Sequence, residues 1–74
     1  MGRLRVLSGA EVCRILLQHG FAEARQRGSH VVMQRTTTEG TRTVPVPLHR
    51  EVAPGTLLSI IRQSGLSRSI FEDE

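Results

Sequence analysis

Three histidines, His19, His30 and His49, and one cysteine, Cys13, are the side chains of this sequence best suited to proton transfer or nucleophilic attack near neutral pH. They are not equivalent. His30 directly follows Gly28-Ser29, and Arg25, Arg27 and Arg35 lie close by in sequence. A side chain at the start of a strand, just after a tight turn, is held more rigidly than one in a loop, and a catalytic group needs that rigidity. Its imidazole is suited to taking a proton from a ribose 2′-OH, chemistry that requires no metal. His19 falls in the last turn of a helix, where a partly cationic ring favours the helix dipole. His49 sits in a loop beside Arg50 and reads either as a phosphate contact or as an ordinary exposed residue. Cys13 borders the apolar face of the first helix, the usual place of a structural thiol.

No ligand spacing for a metal stands out. The histidines are scattered, the cysteine is single, and neither a His-x-x-His nor a Cys-x-x-Cys pair occurs. A magnesium-dependent nuclease needs clustered carboxylates, and the one acidic cluster is the terminal Glu72-Asp73-Glu74. The expectation is a site without metal or cofactor.

The elements that position these residues are well marked. Ser8 and Glu11 have the S-x-x-E spacing of a capping box, with Leu7 and Val12 at the flanking staple positions. Val12, Ile15 and Leu16 follow at helical spacing, and Gly20 stops the helix with Phe21 placed to pack back on it. Residues 21–27 alternate loosely and predict a strand, and Gly28-Ser29 a tight turn. His30 to Thr36 predicts a second strand, Glu39-Gly40 a second turn, and Arg42 to Val46 a third strand that Pro45 and Pro47 push to a sheet edge. Leu48 to Val52 reads as a loop. A second helix begins near Pro54, buries Leu57, Ile60 and Ile61, and ends at Gly65. Ser67 to Phe71 suggests one more helical turn before a frayed acidic end. The order predicts a single α+β domain over residues 1–74, in two layers: helix, three-stranded antiparallel sheet, helix, with one sheet face open to solvent.

All ten basic residues are arginine, against seven acids, and three of those acids are the last three residues. Residues 1–71 therefore hold ten arginines and four glutamates, a formal +6. Such a surface attracts polyanions, and the arginine fork binds phosphate bidentately. The absence of Lys, Asn and Tyr has a second reading, GC-rich codon usage, which bears on arginine over lysine and not on the net charge. A domain of 74 residues buries only about 60% of its unfolded surface, so its core is marginal. One cysteine precludes an internal disulfide, residues 1–7 do not read as a signal peptide, and no apolar run approaches the ~20 residues of a membrane span. The cytoplasm is the expected location.

Several stretches, in order and over nearly the whole chain, resemble the HicA family. They are Leu7-Ser8-Gly9, His19-Gly20-Phe21, Arg27-Gly28-Ser29-His30, Thr43-Val44-Pro45-Val46 and the run from Ala53-Pro54-Gly55-Thr56-Leu57 to Arg62-Gln63-Ser64-Gly65-Leu66. Members of that family are messenger-RNA-cleaving toxins of type II toxin–antitoxin pairs. The resemblance implies a fold similar to double-stranded RNA-binding domains, metal-independent endoribonuclease activity, and a HicB-type antitoxin that covers the catalytic histidine of the G-S-H turn, here His30. The family's lysines around the hairpin and second helix are replaced by arginine or lost, and the segment Pro47-Leu48-His49-Arg50-Glu51 is variable, so the resemblance assigns His49 no role. Candidate RNA contacts are Arg25, Arg27, Gly28, Ser29, Arg35 and Arg62, with the backbone amides of Gly55 and Thr56 as an anion site; those last two also read simply as a helix start. A non-catalytic RNA-binding module accounts equally for fold and charge, but gives no reason for Gly28-Ser29-His30. A third reading is a protein-interaction domain whose arginine face binds an acidic partner.

Overall fold

The Ser8–Glu11 spacing operates in both directions in the computed structural model, which describes residues 2–73. The Ser8 N–H donates to Glu11 Oε1 at 2.8 Å, and the Glu11 N–H donates to Ser8 Oγ at 3.1 Å. Two amides at the start of helix α1 (Gly9–Gln18) thus find partners. Hydrogen bonds from the Ser8 backbone and then its side chain hold the Glu11 carboxyl below the usual range. This contribution to stability is present above the ordinary carboxylate pKa and lost as pH falls through the lowered one. At the other end Gly20 adopts φ +92°. Its N–H donates to the Leu17 carbonyl at 3.3 Å, and that of Phe21 to the Leu16 carbonyl at 3.0 Å, the paired bonds of a Schellman motif.

Three strands follow, β1 (Ala22–Arg27), β2 (His30–Thr37) and β3 (Gly40–Pro47), in the spatial order β1-β2-β3 and antiparallel throughout. The third strand extends beyond the expected Arg42–Val46 at both ends. Thr37 pairs with Gly40, so the second turn is Thr38-Glu39 and Gly40 already belongs to β3. The loose alternation of the first strand has a physical cause: the register shifts between Glu23 and Arg25, a bulge at Ala24, and no residue of β1 is buried. Helix α2 (Pro54–Ser64) ends at Gly65, whose φ of +71° and N–H bond to the Arg62 carbonyl form its cap.

Both helices cover the same face of the sheet. Val31 and Met33 of β2 and Val44 and Val46 of β3 join Val12, Ile15 and Leu16 of α1 and Leu57, Ile60 and Ile61 of α2 in one apolar cluster with Phe21 and Phe71. The alternate row of β2, namely His30, Val32, Gln34 and Thr36, belongs to the other face. This is the expected two-layer α+β arrangement, in the element order of double-stranded RNA-binding domains.

The acidic end is not frayed over its described part. A short 3-10 turn (Arg68–Phe71) buries Phe71 completely. The Arg5 N–H donates to the Phe71 carbonyl at 2.9 Å, and the Asp73 N–H to the Arg3 carbonyl at 2.8 Å, while Leu4 and Glu72 form a bridge. The Glu72 carboxylate also meets Arg68 Nε at 2.5 Å. A buried aromatic anchor and backbone pairing with the opposite end of the chain hold Glu72 and Asp73, and Glu74 lies outside the described residues.

Candidate catalytic cleft

His30 owes its place to the glycine two residues before it. Arg27 pairs with His30 across a two-residue turn in which Gly28 has φ +58°, while Ser29 does not have positive φ. That is the II′ geometry, matched to the twist of the flanking strands and suited to glycine at its first central position. His30 is exposed, with Arg27 on one side and Pro47 of β3 on the other as cross-strand partners. One row further along stand Arg25, Val32 and Pro45. Directly opposed residues share a sheet face, so Arg25 and Arg27 lie on the face that carries His30.

The other expected contacts separate. Arg35 is five residues along an unbulged strand and so belongs to the opposite face, where its side chain lies against Gly20. Arg62 is exposed on α2, its Nη2 3.5 Å from Ser59 Oγ. Thr56 faces the cleft described below, and Gly55 beside it is exposed and uncrowded. No side chain caps α2, because Ala53 occupies the N-cap position. His19 follows the last residue of α1, and its Nδ1 lies 2.9 Å from the Ile15 carbonyl. A carbonyl only accepts, so Nδ1 carries the proton and the ring serves its own helix. Burial, and then the neighbouring Glu23 charge, push the Cys13 thiol up, which leaves it protonated and unreactive at neutral pH.

The loop after β3 is fastened on three sides. The Leu48 N–H donates to the Ser29 carbonyl at 2.6 Å, the Gly9 N–H donates to the His49 carbonyl at 2.9 Å, and the Val52 N–H donates to the Leu7 carbonyl at 2.8 Å. His49 is thereby brought to His30, with ring centroids 6.5 Å apart and planes inclined by 71°. Both rings line a cleft of about 320 Å³ whose other walls are Pro45 and Pro47 of β3 and Thr56, Ser59, Ile60 and Gln63 of α2. From the sequence alone His49 reads either as a phosphate contact or as an ordinary exposed loop residue, and nothing singles out Ser59 or Gln63. A signal existed for His49: counting outward from the turn, Thr37 opposite Gly40 puts residue 30 opposite residue 47.

Gly9 makes this arrangement possible. A Cβ at Gly9 would stand 2.1 Å from the Pro47 carbonyl oxygen and 2.7 Å from Leu48 Cα, both backbone atoms. Gly9→Ala is therefore expected to push α1 and the His49 loop apart, lowering stability by about 1–3 kcal/mol and reducing any activity that depends on the cleft. Urea denaturation checks the first effect. Gly55→Ala is the control, since nothing lies within 4 Å of that position and its φ is not positive; it should leave stability unchanged or raise it by up to ~1 kcal/mol.

Among the described residues no helix is long and apolar enough to cross a membrane, and no group of three or more His, Cys, Asp or Glu side chains gathers as a metal site. Fold and cleft define a class of protein: a small basic α+β domain, helix–three strands–helix, that presents an imidazole at its first hairpin. A family model, the HicA toxin of bacterial toxin–antitoxin systems, matches residues 9–66, and the chain belongs to that family. The matched span runs from the start of α1 to just beyond α2 and includes every residue that lines the cleft. Comparison with curated proteins finds no match.

Proposed function

We propose that this chain is the toxin of a type II toxin–antitoxin pair and acts as a metal-independent endoribonuclease on messenger RNA. The observation that supports this reading best is His30 itself: exposed, set by the Gly28-Ser29 turn, lining a cleft, and on one sheet face with Arg25 and Arg27. In this reading His30 takes the proton from the ribose 2′-OH while Arg25 and Arg27 hold the phosphate backbone. The first-turn amides of α2 at Gly55 and Thr56 offer a second anion contact, helped by the positive end of the helix dipole. Ser29 and Gly28 shape the approach, and Arg62 extends the basic surface along α2. Arg35, on the other sheet face, serves only RNA that wraps past the edge. A HicB-type antitoxin would restrain the enzyme in the cytoplasm by covering His30, and an acidic patch on it would match the basic face.

The test is direct. Purified chain incubated with end-labelled messenger RNA in excess EDTA is expected to cut it, leaving 2′,3′-cyclic phosphate and 5′-hydroxyl ends, and co-expression with the product of the adjacent reading frame to suppress that activity. Tight, salt-sensitive RNA binding without cleavage would overturn the ribonuclease and leave the non-catalytic RNA-binding module.

A further inference from the structure

Cleaving RNA through its own 2′-OH takes two proton transfers. One proton leaves the 2′-oxygen as it attacks phosphorus, and another must reach the departing 5′-oxygen on the far side of the in-line arrangement. A single imidazole can serve both only by travelling between them. The cleft holds two. Their centroid separation of 6.5 Å places every nitrogen of one ring beyond hydrogen-bond range of the other, and among the described residues neither ring takes part in a side-chain hydrogen bond. The nitrogens of both rings are thus free to meet a substrate. The remaining lining groups, Pro45, Pro47, Thr56, Ser59, Ile60 and Gln63, include none that gives up a proton readily near neutral pH. The nearest charges along the chain are those of Arg27, opposite His30, and of Arg50 and Glu51, which follow His49.

A loop residue can transfer protons where the scaffold fixes it. His49 meets that condition, because the peptide bonds around it are tied to the first hairpin turn through Leu48 and to the start of α1 through its own carbonyl. Fixed in this way, a histidine gains the positional definition of one on a strand.

We propose that His49 is the general acid of the reaction, paired with His30 as general base; this rests on the ribonuclease reading above. His30 removes the 2′-OH proton, and the 2′-oxygen bonds to phosphorus. The bond from phosphorus to the 5′-oxygen breaks, and that oxygen takes its proton from the His49 imidazolium. The products are a 2′,3′-cyclic phosphate and a 5′-OH. His30 leaves protonated and His49 neutral, and exchange with water restores both.

The experiment uses two versions of one short RNA, identical except that the second carries a bridging 5′-sulfur at the cut site. A thiolate leaves without being protonated, because thiols ionise near pH 8.5. His49→Ala and the similarly sized His49→Asn are expected to cleave the ordinary RNA about 10²–10⁴-fold more slowly than wild type. On the sulfur-bridged RNA they should come within about tenfold of wild type, as expected when only the acid is missing. His30→Ala should be defective on both. Circular dichroism verifies that the variants fold, as expected for an exposed ring whose removal leaves the backbone bonds intact. Wild-type rates for the His49 variants on ordinary RNA, or an equal loss on both substrates, would overturn the proposal and leave the ribonuclease reading standing. A wild-type chain that cuts neither substrate would bring down both.

Discussion

His30→Ala is expected to lower RNA cleavage by about 10²–10⁴-fold, the usual worth of a positioned acid or base, while leaving the domain folded. The side chain is exposed and lies outside the apolar cluster formed by Val31 and Met33, its neighbours on the same strand. Its backbone pairing with Arg27 and Pro47 does not depend on the ring. Far-ultraviolet circular dichroism and the urea midpoint should therefore match those of wild type, while expression in cells no longer arrests growth. A folded variant that still cuts RNA at the native rate would remove His30 from the chemistry.

An RNA with a single deoxyribose at the cut site is expected to resist cleavage there completely. Without the 2′-OH the internal nucleophile of the proposed reaction is gone, and the imidazole base has only water to activate. Binding should barely change, because the phosphates that Arg25 and Arg27 would engage are all still present. Gel electrophoresis of the products beside a binding isotherm separates the two effects. Cleavage at the substituted nucleotide would mean that water attacks phosphorus, a different reaction.

Much of the scaffold was legible because its signals are local. The Ser8–Glu11 box, the Gly20-Phe21 stop, the Gly28-Ser29 turn and the Pro54 and Gly65 boundaries each depend on a few adjacent residues, and each stands where the spacing puts it. His30 could be singled out for the same reason. What failed to show was whatever depends on register or on distant contacts. Proximity in sequence groups Arg35 with Arg25 and Arg27, but an odd number of residues from His30 places it on the other face. His49 reads only as a loop residue in the sequence because the restraints on its loop come from Ser29 and Gly9, both distant along the chain. The acidic terminus suggested fraying because charge alone does not reveal that Phe71 is buried or that Arg3 and Arg5 pair with its backbone.

The fastening of the His49 loop has a consequence for synthesis of the protein on the ribosome. His30 is translated well before the rest of its cleft, which is walled by residues as late as Gln63 and pinned through Val52 to Leu7. A nascent chain that has exposed only α1 and the first hairpin has the histidine but not the cleft around it. Because small domains fold as cooperative units, the cleft closes only after α2 has emerged. A toxin assembled in this way has no complete cleft until α2 has left the ribosome, which leaves time for an antitoxin to be waiting when it folds.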